Sequence, residues 1–200
     1  MNRLYFDCTN GISGDMVLNG LSALGVPAEE IKEALSGAIS GDCCHSCHGH
    51  GHHHSHTHRS YTEIKEIITG SSLNEKAKAI SLEIYETIAK AEASVHGTSL
   101  METHFHEVGR NEAILNIMGV GYCIDRLDIK EVLCGEICDG HGTIICSHGE
   151  IPVPVPAVMA MRKNCSFTFG EKDVNTELVT PSGLGILIGI GAKQVTEDHP

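Results

Sequence analysis

The sequence has few basic residues, no long apolar run and no recognisable leader. Lysine and arginine number 14 against 26 acidic residues, which gives a formal net charge of -12 at pH 7. A surface of this sign repels nucleic acid and anionic membranes, and no apolar run approaches the length of a membrane span. The N-terminus, MNRLYFDCTN, lacks an apolar core followed by a small-residue cleavage site. We therefore expect a cytoplasmic protein that binds cations and neither nucleic acid nor membrane.

The sequence also lacks the even cysteine count of a disulfide scaffold. It has nine cysteines in 200 residues, and three of them lie in one His-rich segment. Reduced thiols are therefore expected. Most of the cysteines in apolar surroundings are interpreted as small core residues: Cys123, Cys134, Cys138, Cys146 and Cys165. Cys8 stands apart, because it ends a predicted strand beside a Gly-rich turn.

Metal ligands are abundant in one internal segment. Residues 43–58 read CCHSCHGHGHHHSHTH, with eight His and three Cys in sixteen positions. Imidazole and thiolate bind nickel, zinc and copper, and the intervening Gly and Ser leave the backbone free to wrap several ions. A disordered polar linker is the alternative. We predict a metal-binding tract, with nickel as the first candidate, whose ligands are Cys43, Cys44, His45, Cys47, His48, His50, His52, His53, His54, His56 and His58.

Hydrophobic periodicity predicts an α+β (mixed α/β) fold, with a small mixed sheet packed against helices and a flexible loop at 40–59. A strand and a Gly-rich turn precede a helix over 16–24, and a second short helix ends near Gly37. Two more helices follow the tract, with capping-box spacing at Ser60/Glu63 and at Ser72/Glu75. A further helix runs over 114–127, and strand-like runs begin at Val132. Pro156 and the pair Thr180–Pro181 are predicted to open the last two helices.

Two further groups of residues are candidates for chemistry. His104, His106 and Glu107 lie together in sequence, and two imidazoles with a carboxylate can hold a transition metal or bind an anionic substrate through it. The alternative is a pair of ordinary surface or core histidines.

The second group is the turn DCTNGISGD. Its helix N-terminus attracts anions, although Asp7 and Asp15 repel a bare phosphate, so a metal-bridged phosphate is one interpretation. The alternative is that Asp15 caps its helix and the glycines only turn the chain.

Six motifs in order resemble the LarC family of nickel-insertion proteins. They are DCTNGISGDM at 7–16, the His-rich tract, VHG at 95–97, HFHEVG at 104–109, HGEIPVP at 148–154 and ELVTPSG at 177–183. The resemblance covers about residues 3–37 and 60–190. It implies a single N-terminal-like domain over 1–200, with the family's C-terminal nucleotide-binding domain absent.

The resemblance further implies an enzyme that inserts nickel into a pyridinium mononucleotide bearing two thiocarboxylates, forming one nickel–carbon and two nickel–sulfur bonds. In the family the reaction uses CTP with Mn²⁺ or Mg²⁺, and its product serves lactate racemase and related enzymes. A separate C-terminal LarC-like chain or self-association is a further expectation. We assign catalysis to His104, His106, Glu107, Asp7 and Asp15, with both histidines also metal ligands. We assign cofactor binding to Gly11, Ser13, Gly14, Thr180 and Ser182.

The sequence departs from the family pattern at the helix after HFHEVG. Relatives carry two aspartates four residues apart there, whereas this chain has Glu112 and Asn116. The lost carboxylate puts a hard-cation site in doubt. Two alternatives to the enzyme therefore stay open: a protein that stores or delivers nickel without catalysis, and a zinc-dependent scaffold.

Overall fold

The computed structural model describes residues 2–39, 59–146 and 149–195. The predicted metal ligands of the tract, Cys43 to His58, lie outside the described residues, as does His148.

The described residues form seven α-helices and nine short strands. The helices are α1 Gly14–Ala23, α2 Ala28–Ala34, α3 Tyr61–Gly70, α4 Glu75–His96, α5 Asn111–Arg126, α6 Pro156–Asn164 and α7 Pro181–Gly189. The strands are β1 Asn2–Phe6, β2 Arg59–Ser60, β3 His104–Phe105, β4 Ile129–Cys134, β5 Ile137–Asp139, β6 Thr143–Cys146, β7 Gly149–Pro152, β8 Phe169–Glu171 and β9 Lys193–Gln194. No helix in these ranges is long and apolar enough to cross a membrane.

The predicted α+β class is confirmed, with the strands divided among small sheets. β1, β4 and β9 form a parallel three-stranded sheet with β4 in the centre. β5 and β8 pair in parallel, whereas β6 and β7 form an antiparallel hairpin and β2 pairs antiparallel with β3. The helices supply most of the core because each sheet is too small to bury a face of its own.

The core is organised around the long helix α4, which packs against α5, α6 and α7. Its residues Ile84 and Ile88 are fully buried, as are Ile114 and Ile117 of α5. Each such side chain contributes about 1.5–3 kcal/mol through burial. The backbone of α7 at Gly185 packs directly against the side chain of Ile88 in α4. These contacts hold the N-terminal end of α7 in a fixed position, which becomes important at the site.

One of the two predicted capping boxes is confirmed. The Ser60 hydroxyl accepts a hydrogen bond from the Glu63 amide at 3.2 Å, and the Glu63 carboxylate accepts one from the Ser60 amide at 2.7 Å. The second prediction, Ser72 with Glu75, is wrong. Asn74 caps α4 by accepting a hydrogen bond from the Ala77 amide, while the Ser72 hydroxyl donates to the Ala34 carbonyl. Asparagine is as good an N-cap as serine, and Asn74 directly precedes the first helical residue.

The structural interpretation of the cysteines holds for most of them. Cys123, Cys134 and Cys138 are buried, and Cys146 and Cys165 are partly exposed. Cys8 is fully buried, and burial, aided by the neighbouring Cys134 and Asp7, raises the pKa of its thiol to about 12. A thiol that stays protonated is neither a nucleophile nor a ready metal ligand, so Cys8 is a core residue.

Two segments that are far apart in sequence run side by side in front of α1 and α7. The Ile12 amide donates to the Leu178 carbonyl at 2.9 Å, and the Thr180 amide donates to the Ile12 carbonyl at 3.1 Å. The pairing brings the Gly-rich turn against the ELVTPSG segment. Two of the six family-like motifs therefore form one surface.

Candidate functional site

Two adjoining cavities share the side chain of Glu107. The first, here called the His106 cavity, has a volume of about 180 Å³ and is lined by Glu92, Val95, His96, His106, Glu107, Val108, Ile144, Cys146, Ile151, Val155, Pro156, Ala157, Glu177 and Pro181. The second, here called the Asp15 cleft, has a volume of about 190 Å³ and is lined by Ser13, Gly14, Asp15, Glu107, Arg110, Glu112, Ala113, Asn116, Thr180 and Ser182. The lining of the first cavity is mainly apolar, whereas most of the residues that line the second have polar side chains.

Two imidazoles lie at the wall of the His106 cavity. His106 follows β3, and His96 is the last residue of α4. Their ring centroids are 6.4 Å apart, at an interplanar angle of 48°. Nε2 of His96 lies 3.4 Å from a carboxylate oxygen of Glu92, one helical turn earlier. Imidazole nitrogen and carboxylate therefore face the same apolar space.

Glu177 is a carboxyl group of the cavity whose pKa is strongly raised. Burial, followed by the charges of Asp139 and Glu107, raises the pKa of Glu177 from 4.5 to about 7. Near neutral pH this side chain can therefore take up or release a proton.

A buried aspartate fixes the backbone next to Glu177. Oδ1 of Asp139 accepts hydrogen bonds from the amides of Leu178 at 3.0 Å and Val179 at 3.1 Å. Its Oδ2 accepts a hydrogen bond from the guanidinium of Arg162 at 3.0 Å. Asp139 is only 1% exposed, so burying its charge requires these partners. The same Arg162 stacks over the ring of Phe169, at 4.2 Å from its centroid.

The Asp15 cleft forms where the N-terminal ends of three helices meet. Ser13 caps α1 by accepting from the Met16 amide, and Thr180 caps α7 by accepting from the Gly183 amide. Ser182 joins these two ends, because its hydroxyl accepts a hydrogen bond from the Gly14 amide at 3.3 Å. The third end belongs to α5, which contributes Arg110, Glu112, Ala113 and Asn116 to the cleft.

Seven of the ten predicted site residues outside the His-rich tract line the two cavities. Ser13, Gly14, Asp15, Thr180 and Ser182 line the Asp15 cleft, Glu107 lines both cavities, and His106 lines the first. Asp15 does not cap α1, because Ser13 holds that position. The Asp15 side chain instead accepts a hydrogen bond from the side-chain amide of Asn116.

Three predicted site residues lie elsewhere. His104 is exposed on β3 opposite Ser60 and lines neither cavity. The carboxylate of Asp7 accepts hydrogen bonds from the hydroxyl and amide of Thr9, which lower the pKa of Asp7. Gly11 is buried with φ +85°, and a Cβ there would collide with the Leu178 carbonyl. Gly11 therefore allows the close approach of two backbones.

Sequence reasoning missed Glu177, His96 and Asp139. Glu177 and His96 lie inside quoted motifs, ELVTPSG and VHG, but no periodicity separates a cavity-facing side chain from its neighbours. Asp139 is the last residue of the buried strand β5, a place where an acidic residue ordinarily marks the start of a turn. Its role depends on partners 23 to 40 residues away.

The cavities do not contain a ready-made metal cage. Among residues 2–39, 59–146 and 149–195, no group of three or more His, Cys, Asp and Glu side chains is arranged to hold a metal ion. A metal ion bound at His106 therefore needs ligands from outside these residues, such as a substrate or the tract.

The chain is similar to proteins that handle nickel. A family model described as nickel insertion protein matches residues 4–198. A relative from Acetivibrio thermocellus is 39% identical over 96% of this chain and 53% of its own length. The corresponding figures are 41%, 94% and 53% for a Clostridium kluyveri relative, and 36%, 94% and 52% for one from Lactiplantibacillus plantarum. All three are named pyridinium-3,5-bisthiocarboxylic acid mononucleotide nickel insertion protein. The chain spans about half the length of these curated relatives, and no solved structure matches it.

Proposed function

Because this chain belongs to the family of nickel insertion proteins, we propose that it inserts nickel into pyridinium-3,5-bisthiocarboxylic acid mononucleotide. The observation that carries the proposal is the His106 cavity, where two imidazoles and three carboxyl groups line a mainly apolar space beside a more polar cleft. A flat aromatic ring suits the apolar walls, and the nucleotide's phosphate suits the polar cleft.

The lack of a three-ligand cage among the described residues fits insertion. The substrate brings its own donors, two sulfurs and one ring carbon, and Ni²⁺ favours square-planar coordination. Only one further ligand is then required, and we assign it to His106. A complete protein cage would compete with the substrate for the metal.

We propose that the His/Cys tract at 43–58 gathers nickel through its imidazole and thiolate ligands and passes the ion to the cavity. The test replaces residues 43–58 with a Gly/Ser linker of equal length and measures bound nickel by equilibrium dialysis. We expect nearly all bound nickel to be lost while the fold is kept. Unchanged stoichiometry would remove the tract from the proposal.

The Asp15 cleft is proposed to receive the anionic end of the nucleotide. Helix N-termini attract phosphate, and Ser13, Thr180 and Ser182 add hydroxyl groups. Asp15, Glu107 and Glu112 in the same cleft repel a bare anion, so a hard divalent cation such as Mn²⁺ or Mg²⁺ between them balances the charge. CTP with such a cation is proposed as the co-substrate of the reaction.

No disulfide forms among the six described cysteines, which suits a reducing cytoplasm.

The proposal is tested by mass spectrometry of the product. The chain is incubated with the mononucleotide, Ni²⁺, CTP and Mn²⁺ under reducing conditions, and the nickel-containing product is measured. Formation of that product supports the proposal. No product from folded, nickel-loaded protein would contradict it and favour the nickel store, whose metal is held by the tract.

His104 and His106 provide a matched pair of variants. His106→Ala removes an imidazole from the cavity and should abolish product formation, whereas bulk nickel binding stays nearly intact. His104→Ala removes one that lines neither cavity and should retain most activity. Equal losses in both variants would show that the cavity does not distinguish the two histidines.

A further inference from the structure

Nickel insertion into a ring carbon requires a group that accepts a proton. In a pyridinium ring substituted at positions 3 and 5, the carbon between the two thiocarboxylates is position 4, and it carries a hydrogen. A nickel ion held by both sulfurs lies against this carbon. The C–H bond must then break as the nickel–carbon bond forms.

Glu177 lies where such a group is needed. Its side chain lines the His106 cavity together with apolar residues that include Val155, Pro156 and Pro181. His106, the proposed nickel ligand, and Glu107 line the same cavity. Partial burial among these residues reduces the contact of the carboxylate with water, which favours proton transfer from a bound substrate over transfer from solvent.

Hydrogen bonds fix the backbone that follows Glu177. The buried Asp139 binds the amides of the next two residues, Leu178 and Val179. Further along, Thr180 pairs with Ile12 and caps α7. A fixed backbone places the carboxylate with little loss of entropy on binding, which is how an effective general base is positioned.

We propose that Glu177 is the general base that removes the ring proton during nickel insertion, an inference that rests on the proposed function. The electron pair of the C–H bond becomes the nickel–carbon bond, and the proton moves to a carboxylate oxygen of Glu177. The two thiocarboxylate sulfurs donate their own electron pairs to the metal. Nickel remains Ni²⁺ throughout, and neither an oxidant nor a reductant is consumed in this step.

The charges around Glu177 suit this role. Asp139 of β5 and Glu107 are the acidic neighbours that act on it, and with burial they raise the pKa of Glu177 to about 7. Arg162 of α6 is engaged by Asp139. The remaining titratable groups of the cavity are Glu92 and His96 of α4, His106, and Cys146 of β6. A base with a pKa near the working pH combines a large deprotonated fraction with useful basicity.

The test compares Glu177→Gln with Glu33→Gln, a matched change at an exposed residue of α2. Product formation is followed by mass spectrometry, and native mass spectrometry measures the complex with nickel and mononucleotide. We expect Glu177→Gln to slow product formation by about 100-fold or more while the complex still forms. Glu33→Gln should behave as wild type. Glu177→Asp, which keeps a shorter carboxylate, should retain part of the rate.

The pH profile supplies a readout that a structural role would not change. The wild-type rate should rise with pH around a midpoint of about 7, the pKa of Glu177, and the profile of Glu177→Gln should lose this rise. A ¹³C NMR titration of the glutamate carboxyls, assigned with the same variant, checks the group without any turnover. Titration of Glu177 near its ordinary value would overturn the inference.

The outcomes separate the two proposals. An active wild type with an equally active Glu177→Gln variant overturns the role of Glu177 and leaves nickel insertion in place. A wild type that forms no product overturns the proposed function, and the role of Glu177 with it. Thermal melting establishes that each variant is folded. If the Gln variant does not fold, the Asp variant and the wild-type pH profile decide.

Discussion

Asn116 donates a hydrogen bond from Nδ2 to Oδ1 of Asp15 across 2.5 Å. The bond joins the first turn of α1 to α5 in the Asp15 cleft. The family resemblance leads us to expect an aspartate at the position of Asn116. The side-chain amide therefore stands where a second carboxylate would face Asp15, and it donates a hydrogen bond to Asp15 in place of that charge.

Asn116→Asp should make the junction between α1 and α5 depend on a divalent cation. Without one, two carboxylates would repel each other across the former hydrogen bond, and we expect the melting temperature to fall by about 2–4 °C, which corresponds to about 1 kcal/mol in a chain of this size. Millimolar Mn²⁺ should restore the loss by bridging the oxygens.

The control for this variant is Asn19→Asp, at an exposed position of α1, the helix that carries Asp15. It should show little change in either condition. Thermal unfolding with and without MnCl₂ measures both variants. A response to Mn²⁺ of equal size in the control would mean that the cation acts on the overall charge and not on the cleft.

Glu177 should make the stability of the fold fall as pH rises from about 5 to 8. Its folded-state pKa is raised to about 7 from 4.5, so across this window the unfolded chain releases a proton that the folded chain retains. Raising the pH therefore favours the unfolded state. Glu177→Gln removes the free-energy cost of ionising a carboxyl group at this buried position. We expect the variant to be more stable than wild type at pH 8 by about 1–3 kcal/mol, since one pKa unit corresponds to about 1.4 kcal/mol.

Urea unfolding at pH 5 and at pH 8 measures this effect as the difference between wild type and variant. Other acidic groups contribute equally to both proteins and cancel. A variant that is no more stable than wild type at pH 8 would show that Glu177 is well solvated in the folded protein.

Asp139→Asn should be strongly destabilising, because the carboxylate compensates a largely buried guanidinium. Arg162 would face an amide in place of a carboxylate oxygen, and breaking a buried pair in this way costs about 3–5 kcal/mol. The control is Glu131→Gln, which breaks the exposed ion pair with Arg3 and should have a much smaller effect. Denaturant unfolding compares the two. Similar losses in both variants would mean that Asp139 is not a buried anchor.

The sequence predicted the helices well because their signals are local. Pro156 and the pair Thr180–Pro181 act within one turn of the backbone, and the structure opens α6 and α7 at these residues. The failure at Ser72 is also local, since Asn74 meets the same requirement. By contrast, the separation of His104 from His106 depends on where β3 ends and which neighbours it meets. The residues next to His104 and His106 in the sequence do not determine this separation.

The same limit applies to Glu177 and Asp139. The position of Glu177 follows from the pairing of Ile12 with Leu178 and Thr180, which joins segments about 165 residues apart. The order of the motifs identifies the segments that form the site. Only the fold shows which of their side chains line one cavity.

Gly183, like Gly11, is a residue on which that pairing depends. It lies in the first turn of α7, and a Cβ there would collide with the carbonyl oxygen of Ile12. Gly183→Ala should therefore push the Gly-rich turn away from α7, with a loss of about 1–3 kcal/mol, the usual cost of overpacking. Because the displaced turn carries Ser13 and Gly14, the Asp15 cleft should open as well.

Gly20→Ala is the matched control, because a Cβ at this exposed position of α1 meets nothing within 4 Å. Alanine favours the helix, so this variant should gain about 0.5–1 kcal/mol. Denaturant unfolding of both variants should give shifts of opposite sign. Hydrogen exchange should also show faster exchange of the Ile12 and Thr180 amides in Gly183→Ala alone, because these amides form the pairing. Unchanged protection there would mean that α7 moves and the turn does not.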